Sequence, residues 1–269
     1  MDLVACVSAG YSGTAFLANL VDRYVPGAVG LHEPQPTYGG EGEAGWNVRL
    51  GRWAPLDARV RDIVAHRPWW DPTFRGEVTS HVYEDPTGRP GDGKRPRTRT
   101  LDLSGVRLLV ESSIFLSPFV PAIRAERPQT RFVALFREPI AWAFASWRKE
   151  QELGTHAFEV PTPETFARRL RDWERWNWVL LRALPTDPAA CLWLEGRDLF
   201  TPAGVRRLLL WAGAEPAADV SLAEICARRI NAARATVPPE AGRPLDYLEA
   251  ARKTEADRLY YGLLVRAAT

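Results

Sequence analysis

Short apolar runs that alternate with helical patterns constrain this chain more than any other feature of its sequence. Residues 3–7 form the first run, and a small, turn-prone segment and a helical pattern over residues 14–24 follow it. Such runs are typical of strands covered on both faces of a sheet, because neither set of alternating side chains then contacts water. The alternation continues through further apolar runs at residues 28–31, 107–110, 131–136 and 191–194. We therefore predict an α/β fold of three layers, a parallel sheet with helices on both faces.

Proline after a hydroxyl residue marks three predicted helix starts, at Ser117-Pro118, Thr162-Pro163 and Thr201-Pro202. In each pair the hydroxyl residue would be the N-cap, and proline would occupy the first helical position. We predict that the first helix ends near residue 127 and the second near residue 184. A further helix is predicted over residues 140–153.

Residues 37–104 interrupt the alternation. A chain of 269 residues is near the upper limit of one hydrophobic core, so we predict a single domain, residues 1–269, that carries this segment as an insertion. Long irregular insertions in such domains are usually functional or disordered. We interpret its tryptophan-rich part, which includes Trp46, as acceptor-binding or lid structure, and residues 86–99 as a flexible loop around Gly91-Asp92-Gly93.

Charge and cysteine content exclude several classes of protein. Lysine and arginine number 35 against 33 acidic residues, a formal net charge of +2. This balance argues against a dedicated nucleic-acid or membrane-surface binder. No run of about 18 apolar residues is present, so no membrane span is predicted. No secretory pattern follows Met1, and the three cysteines are best explained as buried thiols, so we expect a cytoplasmic protein.

The first strand leads into a turn that suits an anion, comprising Gly10, Tyr11, Ser12, Gly13, Thr14 and Ala15. Backbone N–H groups of a small-residue turn converge at the positive end of the following helix, which favours phosphate or sulfate. Gly10 and Gly13 permit close approach, and the Ser12 and Thr14 hydroxyls add donors. The lysine of a Walker A loop is missing. The alternative interpretation is a tight turn without a ligand.

A second anion-binding candidate lies after the strand at residues 131–136. Arg137 follows that strand, where ligands bind in open α/β sheets, and its planar guanidinium suits a phosphate. Ser146 on the following helix would be a further donor. The alternative is that Arg137 pairs with Glu138 or Glu150 and has no ligand.

These segments together resemble the sulfotransferase family that uses 3'-phosphoadenosine-5'-phosphosulfate (PAPS), closest to its heparan-type and bacterial small-molecule branches. The family's Lys/Arg-Ser-Gly-Thr turn resembles residues 11–14, and its Arg-Asp-Pro motif resembles residues 137–139. Three further stretches agree in order: 32–34, 111–123 and 194–200. The resemblance covers roughly residues 1–36 and 105–215.

The resemblance implies a P-loop-like architecture and in-line transfer of a sulfuryl group from PAPS to the hydroxyl of a small-molecule or glycan acceptor. The aromatic insertion, and a bias toward arginine that is typical of a GC-rich genome, lead us to expect an acceptor from secondary metabolism. It implies that the turn holds the 5'-phosphosulfate and that Arg137 and Ser146 hold the 3'-phosphate. It also implies that Glu33 is the base that takes the acceptor's proton.

His32 is the alternative base, since an imidazole titrates near neutral pH. Side chains alternate along a strand, so we expect that Glu33 and His32 do not both face the site. Glu111, Ser112 and Trp46 are the expected acceptor contacts. His66, His81 and His156 have no partners at metal-ligand spacing, so no metal is expected. The oligomeric state stays open, with a homodimer as one option.

Three positions depart from the family's pattern. Tyr11 and Ser112 stand where the family carries cations, and Ala145 stands at the usual serine position, with Ser146 one place later. The missing positive charge would then come from the insertion, with candidates Arg49, Arg52 and Arg75. Two alternatives stay open: a P-loop kinase or other nucleotide-dependent phosphotransferase, and a catalytically inactive nucleotide-binding relative.

Overall fold

A five-stranded parallel sheet forms the centre of the protein. The computed structural model describes residues 1–10, 12–35, 66–82, 95–152, 162–227 and 254–268. Its strands lie side by side in the order Ala28–His32, Leu108–Ser112, Asp2–Ser8, Arg131–Phe136 and Cys191–Glu195, and all four neighbouring pairs are parallel. The α/β fold predicted from the alternating pattern is confirmed.

The elements follow the predicted order closely. The strands are β1 (Asp2–Ser8), β2 (Ala28–His32), β3 (Arg75–Val82), β4 (Arg95–Asp102), β5 (Leu108–Ser112), β6 (Arg131–Phe136) and β7 (Cys191–Glu195). The α-helices are α1 (Thr14–Tyr24), α2 (Val120–Glu126), α3 (Pro139–Glu152), α4 (Pro163–Ala183), α5 (Gly196–Leu199), α6 (Pro202–Trp211), α7 (Leu222–Ala227) and α8 (Ala256–Ala268). Two 3₁₀ helices cover Pro68–Trp70 and Ile114–Phe119.

The sheet separates two hydrophobic cores. Alternate residues of β1 divide between them: Ala5 and Val7 face one core, and Val4 and Cys6 face the other. Helices α2, α3, α4 and α8 cover the first face, and α1, α6 and α7 cover the second. This arrangement explains why the central strands are continuously apolar, since both sets of side chains are buried. The three-layer prediction is therefore confirmed.

The cysteines are buried and free, as predicted. Burial raises the pKa of the Cys6 thiol and of the Cys191 thiol to about 12. Among the helices that the structure describes, none is long and apolar enough to cross a bilayer.

Two of the three predicted helix starts are confirmed. The Thr162 and Thr201 hydroxyls accept hydrogen bonds from the backbone N–H groups of Thr165 and Gly204, and proline follows each cap. The prediction for Ser117 is wrong. Ser113 caps this segment instead, which begins as a 3₁₀ helix. The Ser117 hydroxyl donates to the Ser8 carbonyl of β1 at 3.0 Å, so tertiary contact has replaced the local cap.

The insertion contains an antiparallel hairpin that the sequence did not predict. Strands β3 and β4 pair from Arg75 opposite Asp102 to Val82 opposite Arg95, so residues 95–99 belong to a strand rather than to the predicted flexible loop. Residues 91–93 lie outside the described residues. The hairpin docks on the domain because Arg99 forms two hydrogen bonds with the Asp22 carboxylate of α1, both of 2.8 Å. Docking of this kind stabilises a two-stranded ribbon that would be marginal alone.

Candidate functional site

The turn after β1 is held by hydrogen bonds from side chains to its carbonyl groups. The Gly10 carbonyl accepts from the Ser12 hydroxyl at 2.8 Å and from the Trp142 indole at 3.0 Å. The same indole N–H lies 3.2 Å from the Ala9 carbonyl, and Ser117 holds the Ser8 carbonyl. The turn is therefore fixed by its own Ser12 hydroxyl and by side chains from α3 and from the Ile114–Phe119 helix.

Two of the predicted donors are already used inside the turn. The Gly10 N–H donates to the Ser8 hydroxyl oxygen at 2.9 Å, and the hydroxyl proton of Ser12 goes to the Gly10 carbonyl. Ser12 is also buried. The expectation that the Ser12 hydroxyl donates to an anion is thus not met in this structure. Tyr11 lies outside the described residues.

The start of α1 provides the donors that remain. Gly13 is the N-cap residue, with φ of 99°, and no side chain within the described residues caps the helix there. The first N–H groups of a helix have no partner within the helix, so the amides of Thr14 and Ala15 are donors at its positive end. Gly13 is required because of its left-handed backbone and because a Cβ would lie 2.9 Å from Leu199.

Arg137 lies beside this turn in the sheet. In the register of β1 and β6, Ser8 is opposite Leu135, so the turn and Arg137 leave neighbouring strands at the same edge. The Trp173 indole donates to the Arg137 carbonyl at 3.0 Å and fixes its backbone. Glu138 caps α3 through its two carboxylate oxygens, which accept from the backbone N–H groups of Ile140 and Ala141. The Glu138 carboxylate therefore occupies N–H groups at the start of α3, which are not available to an anion.

Ser146 is buried between α3 and α4. Its hydroxyl oxygen accepts from Nη1 of Arg169 at 3.0 Å, and Arg169 is itself buried. The sequence did not predict Arg169, because it lies within an ordinary amphipathic helix and no local motif distinguishes it. The structure thus brings a guanidinium to the hydroxyl that the resemblance implies for the 3'-phosphate.

Glu33 lies between two histidines just beyond the end of β2. Its Oε1 is 3.9 Å from Nε2 of His32, and its Oε2 is 3.8 Å from Nδ1 of His81. The two side chains lie close together although they are consecutive, because Glu33 has φ of 45° and leaves the extended conformation that makes side chains alternate. His81 arrives from the hairpin, 48 residues away. Spacing in the sequence gave no signal of it.

Hydrogen bonds to carbonyl groups orient both imidazoles. Nδ1 of His32 lies 3.1 Å from the Ser112 carbonyl, and Nδ1 of His81 lies 3.3 Å from the Glu33 carbonyl. A carbonyl oxygen only accepts, so each Nδ1 carries a hydrogen, and Nε2 is the basic nitrogen of the neutral ring. Nε2 of His32 faces the Glu33 carboxylate, which is 15% exposed.

Ser112 joins Glu33 to the turn. Its carbonyl accepts from the Glu33 N–H at 2.9 Å, and its hydroxyl donates to the Thr14 carbonyl at 2.8 Å. The hydroxyl is buried, so Ser112 positions the carboxylate relative to the start of α1. The structure gives it this connecting role in place of the expected contact with the acceptor.

Glu111 is fully buried on the opposite face of the sheet from α1. Its Oε1 accepts from Nε of Arg67 at 2.9 Å, and its Oε2 accepts from the indoles of Trp69 and Trp70 at 2.8 and 2.6 Å. Glu111 is 0% exposed. Its carboxylate, which accepts from these three donors, anchors the Pro68–Trp70 helix. We assign Glu111 to this anchoring rather than to the acceptor. Trp46 lies outside the described residues.

Of the three arginines that were expected to supply the missing charge, the structure describes only Arg75. Arg49 and Arg52 lie outside the described residues. Arg75 is exposed, with its Nε 3.2 Å from the Asp102 carboxylate. It is six residues along β3 from His81, roughly 20 Å for an extended strand. Arg75 therefore cannot serve the Glu33 end of the hairpin.

A third glutamate, Glu195, ends β7 at the same edge of the sheet. Burial raises the pKa of its carboxyl group, while a hydrogen bond from the Tyr260 hydroxyl, 2.8 Å long, acts in the opposite direction. Its second oxygen pairs with Nε of Arg197. Burial and the Glu195 carboxylate raise the pKa of Tyr260 as well. Within the described residues no group of three or more histidine, cysteine or acidic side chains is arranged to hold a metal ion.

Comparisons with known proteins found a match among solved structures but none in sequence. No family model matches the chain, and no curated protein matches it in sequence. A solved structure of a sulfotransferase from Alicyclobacillus acidocaldarius matches with a TM-score of 0.43 at 15% identity, over 99% of this chain and 94% of that one. Similarity of this degree supports no inference about activity, so the functional assignment depends on the site itself.

Proposed function

We propose that this protein is a sulfotransferase that moves a sulfuryl group from PAPS to a hydroxyl of a small-molecule or glycan acceptor. One observation carries the proposal: the turn and the start of α1 follow β1, Arg137 follows β6, and these two strands are neighbours in the sheet. Two anion-binding elements at one edge of the sheet suit a nucleotide that is charged at both its 5' and its 3' positions. The sequence resemblance supports the same donor.

In this mechanism the N–H groups at the start of α1 hold the 5'-phosphosulfate, and Arg137 holds the 3'-phosphate. The acceptor oxygen forms a bond to sulfur as the bond from sulfur to the bridging phosphate oxygen breaks, and adenosine 3',5'-bisphosphate leaves. Glu33 takes the proton of the acceptor hydroxyl. Fixed donors aimed at the leaving phosphate stabilise its developing charge, as in phosphoryl transfer.

Calorimetric titration with adenosine 3',5'-bisphosphate tests the proposal. We expect saturable binding to the wild type, and binding at least tenfold weaker to R137A, because one charge-assisted hydrogen bond contributes about 1.5–3 kcal/mol. R206A is the matched control, since Arg206 is exposed on α6. Equal binding by R137A and the wild type would remove Arg137 from the site.

ATP with magnesium serves as the competing ligand. A preference for it over the bisphosphate would favour the phosphotransferase alternative. Binding of PAPS without release of the bisphosphate, across a panel of hydroxyl acceptors, would favour an inactive relative.

A further inference from the structure

Helix α5, directly after β7, packs against the candidate anion turn. A Cβ on Gly196 would lie 3.0 Å from the Ser12 carbonyl oxygen and 3.4 Å from that of Phe136. A Cβ on Gly13 would lie 2.9 Å from Leu199, at the other end of α5. The backbone of Gly196 therefore lies between the turn and the carboxyl end of β6, and the next residue extends from this position.

That residue is Arg197, and a buried carboxylate orients it. Nε of Arg197 pairs with Glu195, which is 2% exposed, and the Tyr260 hydroxyl holds the other oxygen of Glu195. The Arg197 side chain itself is 70% exposed. Within the described part of the chain, its two Nη groups have no other partner, so its outer donors are directed to solvent at this edge.

The turn itself has no positive side chain. Residues 8–15 contain no lysine or arginine. The Gly10 N–H and the Ser12 hydroxyl already donate hydrogen bonds within the turn, so they are not available to an anion. Backbone amides alone would face the multiple negative charges of a phosphate or phosphosulfate. A guanidinium offers several fixed donors that match such groups.

We infer that Arg197 is a binding residue for the 5'-side anion, reaching over the turn from α5 while Glu195 holds it in place. This inference rests on the proposed function, and it names the cation of that site. The Glu195–Arg197 pair has no net charge when both groups are ionised, so its contribution is directed hydrogen bonding. We accordingly expect an effect near the lower end of the range for hydrogen bonds to charged groups.

Titrations with three adenosine nucleotides test the inference by locating the contact on the ligand. For R197A we expect about tenfold weaker binding of adenosine 3',5'-bisphosphate and of adenosine 5'-monophosphate, with binding of adenosine 3'-monophosphate unchanged. R197K should lose less, because it keeps one donor. R206A should match the wild type for all three nucleotides. Thermal unfolding of each variant confirms that it is folded.

The outcomes separate this inference from the proposed function. If R197A binds the bisphosphate and the 5'-monophosphate as the wild type does, or loses the 3'-monophosphate equally, the inference about Arg197 is overturned while the proposed function stands. If the wild type binds inorganic pyrophosphate but not the bisphosphate, the proposed function fails, and loss of pyrophosphate binding in R197A still supports Arg197. If the wild type binds neither ligand, both fail.

Discussion

Glu111 and Glu33 end neighbouring strands of one sheet, yet the fold uses them differently. In the register of β2 and β5, Glu111 is opposite Leu31, only two residues before Glu33. Glu111 is fully buried and accepts hydrogen bonds from three side chains. Glu33 is partly exposed, and its carboxylate lies between two imidazoles at 3.8 and 3.9 Å.

The difference shows how neighbours decide what a carboxylate does. Strong donors that occupy both oxygens of Glu111 stabilise its charge and leave no access for a ligand, which makes it a structural group. The Glu33 carboxylate is flanked by two imidazoles rather than by three short hydrogen bonds, and it is partly exposed. This environment suits the role of base that we propose for it. Residue type and position on the sheet are therefore insufficient to assign function.

The largest effect should follow from removing the charge of Glu111. E111Q leaves Arg67 and two indoles with an amide that cannot satisfy all three donors, so we expect the free energy of unfolding to fall by about 3–5 kcal/mol. Urea unfolding at pH 7 measures it. E77Q is the control, since Glu77 is exposed on β3. A loss below about 1 kcal/mol would contradict the anchoring role.

Replacing Glu33 should reduce turnover and leave the stability of the fold unchanged, in contrast to replacing Glu111. We expect E33Q to lower turnover about 10²–10⁴-fold, because the amide cannot take a proton, while the urea midpoint stays close to that of the wild type. Release of adenosine 3',5'-bisphosphate from PAPS, in the presence of an accepted hydroxyl compound, is the measurement. Unchanged turnover would exclude Glu33 as the base and leave His32 and His81 as the candidate bases.

A smaller effect should come from removing one donor to Glu111. W70F deletes the indole N–H that lies 2.6 Å from Oε2, and we expect a loss of stability of about 1–3 kcal/mol. W178F provides the comparison, because Trp178 is 45% exposed. If both variants unfold at the same urea concentration, the network around Glu111 does not stabilise the fold.

The smallest expected effect is a change in how the stability of the fold depends on pH when Glu195 is replaced. Burial raises the pKa of Glu195 above its ordinary value, so the folded protein keeps this proton to higher pH than the unfolded chain does. The stabilisation from protonated Glu195 is therefore present at low pH and is lost as pH rises through the folded pKa. We expect the stability of E195Q, relative to the wild type, to improve as pH rises from 4 to 7. A difference that does not change with pH would contradict this.

Local sequence predicted most of the sheet and its helices. The run at residues 131–136 and the helix at residues 14–24 have the predicted bounds, and the other central strands differ by one or two residues. Continuous apolar runs report burial on both faces, which depends little on which neighbour covers them. The sequence did not predict the hairpin, because β4 begins within the segment at residues 86–99, whose content of proline, glycine and arginine is typical of a loop.

The sequence likewise predicted some features of the candidate site and not others. Residues 8–15 and Arg137 could be located from the strand ends that precede them, since the carboxyl ends of parallel strands meet at one edge of a sheet. The use of the Gly10 amide and the Ser12 hydroxyl inside the turn could not be predicted, because it follows from the conformation of the turn.

By itself the sequence determined which segments are strands and helices, and that the layers form around a parallel sheet, because periodicity is a local property of the chain. Only the tertiary structure decided which carboxylate is enclosed and which is left accessible. The donors to Glu111 lie 41 to 44 residues from it, and His81 lies 48 residues from Glu33. A carboxylate takes its chemistry from the groups around it, and folding brings those groups together from distant parts of the chain.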